Sequence, residues 1–416
     1  MRYLLTLWML LMVKSISAQY QLTADIYNPG NKDLQNVPVC ISLEKYEQVL
    51  TGIVFIDGKE IPSQLDDLNR DGTKDELCFL VDVPKHQTIH AHVTLCPAGA
   101  EATTLMSPQE YTPRTYAEIV LRNPAVKEKN QHDIYLDAIT VDRRTKNPYN
   151  VQHHHGVAFE NELIAVRIYF DQRQTLDLYG KFEQGLELEQ TQFYTSAEQK
   201  QQGYGDDVLW VGNSFGLGAI RGWNGRKPTM LSNVERRTQR IISAGPVRTI
   251  VEVEDEGWIP EGSSATFAPL NMTIRYTLYA AHRDIDVCAR FNRDVKDMLF
   301  STGVINVKGS REFSDKKGLR GCWGTDWPAS DTLNWKKETV GLGIYVPEEQ
   351  MVNELPATQE NYAFVIRAND KNQLCYKVVY TSDNEHFFGI HTDKDWFEWL
   401  KAWRKEMEQP VKVHIR

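Results

Sequence analysis

The chain has 416 residues, of which 41% are hydrophobic and 25% are charged, a composition typical of a globular protein with about two or three domains. The formal net charge is −9, and the sequence contains no long block of basic residues. Because proteins that bind a phosphate backbone need clustered Lys and Arg, a nucleic acid is not an expected partner.

The first eighteen residues differ from the rest of the chain in composition. Arg2 precedes an apolar run from Tyr3 to Val13, and small and polar residues lead to Ala18. This pattern is typical of a secretory signal peptide and is too short for a stable membrane span. We predict that residues 1–18 are removed and that the protein is exported to the periplasm or beyond the cell. No later apolar run predicts a membrane span.

Short segments with the length and patterning of β-strands follow the predicted signal peptide. They are separated by turns rich in Gly, Pro, Asn and Asp, and they cover residues 36–43, 50–55, 77–83 and 88–95. We predict a small β-sandwich over residues 19–105. The stretch 97–114, rich in Ala, Thr, Pro and Ser, is predicted to be a linker.

One turn of this domain resembles a calcium-binding loop. Oxygen-bearing side chains occupy its positions 1, 3, 5 and 9, with glycine at position 6; these side chains are Asp67, Asn69, Asp71 and Asp75. Cys78 stands where an EF-hand has a bidentate Glu, and no flanking helices are predicted. A structural Ca²⁺ site and a metal-free turn are both consistent with this spacing, and no other cofactor is expected to be required.

Residues 106–416 are predicted to form one large β-sandwich. Strand-length segments follow one another from residue 159 to the end of the chain, and a single helix is indicated near the C-terminus. Thr392 or Asp393 can cap this helix, apolar residues from Trp396 to Trp403 recur at helical spacing, and Pro410 ends it. The predicted fold class is therefore all-β: a small N-terminal β-sandwich, then a large sandwich with one C-terminal helix.

Several of these segments alternate between apolar and polar residues. In the segment 163–170, Val166 and Ile168 alternate with Arg167 and Tyr169, and the segments 272–279 and 285–292 show the same pattern. The polar faces can line a common groove, or each can lie against solvent, as is usual for antiparallel sheets. The sequence does not decide between these alternatives.

Three consecutive histidines precede the first of these strands. In an extended backbone His153 and His155 share one face and His154 lies on the other, so at most two of them can act on one ligand. They lead into the strand of Arg167 and Tyr169, and with the nearby Glu160 and Glu162 they form the densest cluster of groups that can transfer protons near neutral pH. The alternative is a solvated histidine turn.

Two further segments carry residue types used in catalysis. Gly-Asn-Ser-Phe-Gly around Ser214 matches a nucleophile elbow, but no helix is predicted after it, so a serine esterase is not favoured. Asp206 and Asp207 are adjacent, and adjacent carboxylates rarely face each other across a glycosidic bond. Tyr204, in the same turn, can donate or accept a proton.

All tryptophans of the predicted mature chain lie after residue 209. Indole rings stack on sugar rings when they are exposed in loops, although core packing explains most tryptophans. Trp223, Trp323 and Trp327 stand in segments rich in Gly, Asp and Pro, so we predict that they bind substrate.

The six cysteines are dispersed and include no Cys-x-x-Cys pair, so a zinc site is not expected. They are Cys40, Cys78, Cys96, Cys288, Cys322 and Cys375. Most are predicted to be buried thiols. A disulfide among the first three remains open, because an exported protein can form one.

Five segments carry a resemblance to a protein family: 159–170, 177–181, 205–209, 211–216 and 245–248. They resemble an uncharacterised family of exported bacterial proteins linked to polysaccharide-utilisation gene clusters, and they are similar to ulvan oligosaccharide dehydratases. Residues 245–248 and 273–279 also resemble the β-supersandwich of galactose mutarotases and several polysaccharide lyases. The resemblance extends over about residues 20–416 and implies a galactose-mutarotase-like large sandwich.

The resemblance implies a lyase or dehydratase that eliminates across C4–C5 of a uronic-acid residue in an acidic oligosaccharide. Elimination needs a cation that neutralises the carboxylate, a base for the C5 proton and an acid for the departing oxygen. The candidate cations are Arg167, Arg173 and Arg221, the candidate bases are the three histidines, and the candidate acids are Tyr169 and Tyr204. A glycan-binding protein without catalysis and, less favoured, a glycoside hydrolase are the alternatives.

Overall fold

In a computed structural model, the described residues are 19–97, 111–121, 133–329, 332–333 and 335–416. The predicted signal peptide and most of the predicted linker lie outside these residues. No helix of the described chain is long and apolar enough to cross a membrane.

The first seven strands form a small sandwich. These strands are β1 (Tyr20–Tyr27), β2 (Leu34–Ser42), β3 (Val49–Ile56), β4 (Lys59–Ile61), β5 (Ser63–Asp66), β6 (Glu76–Val83) and β7 (Thr88–Pro97). One sheet has the order β1-β7-β3-β4 and the other β2-β6-β5. Val54, Phe79 and Val93 are among the buried residues between the two sheets. The predicted N-terminal sandwich is confirmed.

Within its described residues, the next part of the chain contains eight strands and three short helices. They are β8 (Thr115–Glu118), β9 (Val120–Leu121), β10 (Ile134–Tyr135), β11 (Ala138–Asp142), a 3₁₀ turn (Pro148–Asn150), β12 (Gly156–Asn161), β13 (Ala165–Tyr169), β14 (Leu176–Gly180), α1 (Leu188–Thr191), α2 (Ala197–Gln201) and β15 (Asp206–Asp207). The strands β15-β14-β13-β12-β8 form one antiparallel sheet, which we call the histidine sheet because the three histidines precede β12. The short helices α1 and α2 were not predicted.

The rest of the chain is again mostly strands. They are β16 (Arg221–Trp223), β17 (Pro228–Thr229), β18 (Arg236–Ser243), β19 (Arg248–Trp258), β20 (Leu270–Tyr279), β21 (Asp284–Phe291), β22 (Phe300–Ile305), β23 (Arg311–Ser314), β24 (Leu319–Asp326), β25 (Glu338–Tyr345), β26 (Met351–Glu354), β27 (Asn361–Ile366) and β28 (Gln373–Ser382), followed by α3 (Asp393–Glu408) and β29 (Lys412–Ile415).

Two layers make up the large sandwich. One layer is a nine-stranded sheet with the order β11-β18-β19-β20-β21-β28-β25-β24-β23. The other consists of the histidine sheet and a five-stranded sheet β17-β16-β22-β27-β26, which are joined by bridges from Leu176 to Gly216 and from Leu217 to Val304. Alternate apolar residues of both layers, such as Val166 in β13, meet in one core. The predicted all-β class is confirmed.

The polar faces of the two layers point in opposite directions. The apolar faces of β13 and of β20 meet in the shared core, so Arg167 and Arg275 must lie on opposite outer sides of the sandwich. Arg275 donates hydrogen bonds to Glu252 and to the carbonyl oxygen of Leu68 of the small sandwich. The common groove considered from the sequence is therefore not formed by these two faces.

The C-terminal helix is confirmed, and the strand after it joins the small sandwich. Thr392 caps α3 by accepting a hydrogen bond from the N–H of Asp395, and Trp396, Leu400 and Trp403 are buried. After α3 the chain returns to pair β29 with β1 in antiparallel register. The last strand of the predicted domain 106–416 thus lies in the N-terminal sheet, while the division at residue 105 stays a prediction.

The disulfide of the structure differs from the one considered from the sequence. Cys288 in β21 and Cys375 in β28 face each other across neighbouring strands and are bonded. Cys40, Cys78 and Cys96 are free, and Cys78, Cys96 and Cys322 are buried. Spacing along the chain cannot identify the bonded pair, because strand register decides which cysteines meet.

Replacing Cys288 and Cys375 together by serine should lower the free energy of unfolding by about 2–4 kcal/mol, because the bond closes a long loop in the unfolded chain. Urea unfolding under non-reducing conditions measures this change. Reductant should shift the midpoint of the wild type towards that of the double variant and leave the variant unchanged. Equal midpoints without reductant would show that the bond contributes no stability.

Candidate functional site

The segment before β12 separates the three histidines. His154 is buried, and its Nε2 lies 3.1 Å from a carboxylate oxygen of the buried Glu118. His153 and His155 are half-buried, and both rings contact Tyr194, at centroid distances of 6.3 and 6.1 Å. The structure thus brings His153 and His155 together and leaves His154 in the interior, where a substrate cannot reach it.

His155 has an unusual backbone and a stacked ring. Its φ of 73° lies in the left-handed region, which is costly for a residue with a Cβ. The ring stacks on Tyr149 with a centroid distance of 3.7 Å and an interplanar angle of 7°. Its Nδ1 lies 3.0 Å from the carbonyl oxygen of Tyr149. If Nδ1 donates this hydrogen bond, the neutral ring carries its lone pair on Nε2.

Five rings form a contiguous group, which we call the His–Tyr cluster: His153, His155, Tyr149, Tyr169 and Tyr194. Tyr149 links the stacked His155 to Tyr169, whose ring it meets edge-on at 5.1 Å. A depression of about 360 Å³ borders Tyr149 from the outside. The sequence pattern did not identify Tyr149 or Tyr194, because neither lies in the alternating strand.

Arg173 joins this cluster to the next loop. Its guanidinium carbon lies 4.7 Å from the ring centroid of Tyr149 and 4.6 Å from that of Tyr169. Nε and Nη2 donate to Asp171, while Nη1 lies 3.5 Å from the carbonyl oxygen of Gly212. The side chain is 20% exposed, so it is a cation of the cluster that a ligand can approach.

Arg167 in β13, in contrast, is buried beneath the segments that cover the histidine sheet. Its guanidinium donates to Asp177 at 2.7 Å and to Asp207 at 3.1 Å, and it is 3% exposed. Tyr169 also donates to Asp177, at 2.7 Å. Burial, followed by the charge of Asp177, raises the pKa of Tyr169 well above its usual value. Arg167 and Tyr169 were predicted to act on substrate. Both side chains are buried instead, and both donate hydrogen bonds to the carboxylate of Asp177.

Tyr204 is not one of the rings of the cluster. The Tyr204 side chain makes no hydrogen bond or ring contact with the described residues. Asp206 pairs with Lys200, and Asp207 pairs with Arg167. Burial raises the pKa of Asp207 well above its usual value, and the charge of Asp177 raises it further. These two carboxylates therefore have internal partners and do not face each other across an open cleft.

The Gly-x-Ser-x-Gly segment is a tight loop without a following helix. Ser214 donates its hydroxyl hydrogen bond to the carbonyl oxygen of Val211 at 2.6 Å and is buried. Gly216 has φ 54°, and a Cβ there would lie 2.3 Å from the carbonyl oxygen of Leu176. The glycine is required by this close approach. The loop is therefore not a nucleophile elbow.

This loop forms one wall of the first cleft, a depression of about 680 Å³. Trp210 and Trp327 line it, together with polar residues such as Asn306, Lys308 and Asp326. Trp210 is 48% exposed, which is unusual for so large an apolar side chain. Trp327 was predicted from the sequence. Trp210 was missed because it lies within the apolar run 208–211, which resembles a buried strand.

The second cleft adjoins the first and shares with it Asn213, Gln359 and Glu360. Its volume is about 580 Å³, and Arg221 and Lys227 line it. Arg221, predicted to bind substrate, is 2% exposed. Burial lowers the pKa of Arg221 to about 10.

The other two predicted tryptophans lie outside these clefts. Trp323 packs among the residues beneath α3, and Gly341 gives it room, because a Cβ on that glycine would lie 2.8 Å from the indole. Trp223 ends β16, beside Pro228 of β17, and lines neither cleft. The Gly-rich sequence around these two tryptophans predicted loops, but Trp223 belongs to β16 and Trp323 to β24.

The predicted calcium loop is held by its own side chains. Each of its four side chains accepts a hydrogen bond of 2.6–2.8 Å from a backbone N–H of the loop; these side chains are Asp67, Asn69, Asp71 and Asp75. Among the described residues, no group of three or more His, Cys, Asp or Glu side chains is arranged to hold a metal ion. Calcium binding at this loop stays a prediction.

A family model described as a domain of unknown function (DUF4861) matches residues 26–413. No curated protein matches the sequence. Among solved structures, the chain is similar to a protein in the glycosyl hydrolase family 38 from Enterococcus faecalis, with 10% identity and a TM-score of 0.46 over 95% of this chain and 47% of that chain. An alpha-mannosidase from Enterococcus faecalis V583 has 10% identity and a TM-score of 0.41, over 95% of this chain and 46% of that chain.

The chain thus spans about half the length of these two proteins. A "putative aldose 1-epimerase" from Klebsiella pneumoniae subsp. pneumoniae MGH 78578 has 7% identity and a TM-score of 0.27, over 70% of this chain and 95% of that chain.

Replacing Arg167 by methionine should destabilise the protein by about 3–5 kcal/mol, because Asp177 and Asp207 would stay buried without their cation. The matched variant Arg173→Met should lose about 1 kcal/mol or less, because its partner Asp171 is partly exposed and can be hydrated. Urea unfolding of both variants measures the difference. Equal losses would contradict the assignment of Arg167 to the interior.

Proposed function

The chain belongs to the DUF4861 family, described as a domain of unknown function, and we propose that it eliminates across C4 and C5 of a uronic-acid residue in an acidic oligosaccharide. The observation that carries this proposal is the partly exposed stack of His155 on Tyr149, with Arg173 against the same tyrosine. A base, a phenol and a cation stand together there at an accessible edge of the His–Tyr cluster. The predicted export of the protein to the periplasm would place it where such oligosaccharides are degraded.

His155 is the base in this proposal. With Nδ1 donating to the Tyr149 carbonyl, Nε2 can take the C5 proton. The left-handed backbone of His155 supports this role, because strained conformations are kept where the surrounding structure fixes a functional side chain. The ring stack restricts its rotation further.

Arg173 is the cation that stabilises the negative charge developing on the substrate carboxylate. Two of its nitrogens are engaged by Asp171, and Nη1 is directed to the loop at Gly212. A carboxylate that approaches from the exposed side meets a fixed guanidinium, whose orientation needs no rearrangement during the reaction. Arg167 has no such access.

Tyr149 is the acid that protonates the departing oxygen. The C5–H bond breaks as its proton moves to His155, the C4–O bond breaks, and a C4=C5 double bond forms. The departing oxygen takes the proton of the Tyr149 hydroxyl and leaves as water or as a sugar hydroxyl. His155 and Tyr149 then exchange protons with solvent to complete the cycle.

The variants His155→Gln and Tyr149→Phe should each lower the elimination rate by about 100-fold or more, the usual contribution of a general acid or base. The rate is measured by the ultraviolet absorbance of the conjugated alkene, and mass spectrometry separates loss of water from chain cleavage. Matched controls are His386→Gln and Tyr27→Phe, which change exposed residues far along the chain from the cluster. Retention of full rate in both site variants would refute the assignment. A silent wild type on ulvan, pectin and glycosaminoglycan fragments would refute the reaction.

A second function, glycan binding without catalysis, is favoured by the first cleft. Trp210 and Trp327 offer indole faces beside amide and charged side chains, the combination found in sugar sites. This function requires no chemistry at His155.

Replacing Trp210 or Trp327 by alanine should weaken oligosaccharide binding by about 10-fold, since a stacked aromatic ring contributes about 0.5–1.5 kcal/mol beyond its buried area. Calorimetry measures the affinity, and Trp223→Ala is the control because Trp223 lines neither cleft. Binding without product that is insensitive to His155→Gln would favour the binding function over the enzyme. Unchanged affinity in both cleft variants would exclude the first cleft as the site.

A further inference from the structure

One buried arginine differs from all the others in its partners. Each of the other buried arginines of the described chain lies within 2.6–2.8 Å of a carboxylate oxygen: Arg167, Arg237, Arg248, Arg283 and Arg320. Arg221 is as deeply buried, but none of the described carboxylates forms an ion pair with it. A buried charge normally has a counter-charge, because its desolvation is otherwise not offset.

Only neutral oxygens contact the guanidinium of Arg221. Nη2 donates to the hydroxyl of Thr175 at 3.1 Å and to the carbonyl of Ser214 at 2.9 Å. Nη1 donates to the carbonyl of Arg173. The carboxylate of Asp171 forms its ion pair with Arg173. Its negative charge also attracts the guanidinium of Arg221, but from beyond ion-pair distance. These contacts fix the orientation of the guanidinium but leave its charge without a counter-ion.

Arg221, which carries this uncompensated charge, lines the second cleft. Three charged side chains line this cleft: Arg221, the exposed Lys227 and the carboxylate of Glu360. The cleft is therefore locally positive in a protein with a net charge of −9. Low-dielectric walls strengthen the attraction that such a charge exerts on an anion in a cleft.

We propose that the second cleft is an anion subsite that takes a carboxylate or sulfate group of a sugar, with Arg221 supplying the fixed buried charge and Lys227 the exposed one. The subsite continues from the tryptophan-lined first cleft through Asn213, Gln359 and Glu360. An oligosaccharide in the first cleft would thus place a charged substituent of a neighbouring sugar over Arg221. The inference rests on the proposed function only in that both use a sugar ligand.

Equilibrium binding in the His155→Gln background tests the subsite separately from the chemistry. The probes are glucuronate, glucose and glucose 6-sulfate, measured by calorimetry at low salt. Glucuronate or the sulfate should bind about 10-fold more tightly than glucose, and the preference should shrink as salt is added. The tighter of the two anions identifies the group that the subsite takes. Equal affinity for all three probes would overturn the proposal, whatever the outcome of the elimination assay.

Two variants locate the preference in the second cleft. Lys227→Gln changes an exposed residue and should fold normally, yet it should reduce the preference for the anion several-fold. Arg221→Gln should abolish it, and Arg221→Lys should keep part of it. Lys45→Gln, which changes an exposed residue in a turn of the small sandwich, is the matched control and should leave the ratio of affinities unchanged. If Arg221→Gln fails to fold, an unchanged preference in Lys227→Gln still refutes the assignment, and a reduced one supports it.

Discussion

The meeting of two apolar sheet faces in one core governs where this molecule can carry a site. When the layers of a sandwich bury their apolar faces together, their polar faces must turn away from each other. The polar residues of β13 and β20 are therefore on opposite sides and cannot build one groove. Sites must form on an outer face that a loop partly covers, or at an edge where the two sheets of one layer join. The His–Tyr cluster is of the first kind, and the two clefts are of the second.

Covering the outer face of the histidine sheet has an electrostatic consequence. Once α1 and its neighbouring turns lie over β13, the polar side of this strand becomes interior, and Arg167 needs the carboxylates of Asp177 and Asp207. This internal network supports the accessible edge where Tyr149 and His155 stack. Two further arginines contact the loop at residues 212–214. Arg173 lies against the carbonyl oxygen of Gly212, and Arg221 donates to the carbonyl oxygen of Ser214. Arginine side chains thus connect the floor of the cluster to the wall of the first cleft.

Local patterns predicted the parts of the fold that depend on local physics. The alternation of apolar and polar residues along β20 and β21 correctly predicted which face of each strand is buried. The helical spacing of Trp396, Leu400 and Trp403 predicted α3. The pairing of Cys288 with Cys375 and the return of β29 to β1 depend on which strands become neighbours. A sequence pattern holds no information on that register. Both features therefore appear only in the assembled structure.

The same division explains the candidate site. Residue type and spacing indicated the histidines, Arg173, Arg221 and Trp327, but they could not distinguish a guanidinium with a carboxylate partner from one without. That distinction needs the full set of neighbours: Arg167 and Arg221 have almost the same exposure, and only the first has a counter-charge. Because Arg221 lines a cleft, a ligand bound there can supply the missing counter-charge. A chain that leaves one buried cation uncompensated beside a cleft pays in stability for the ability to select an anion there.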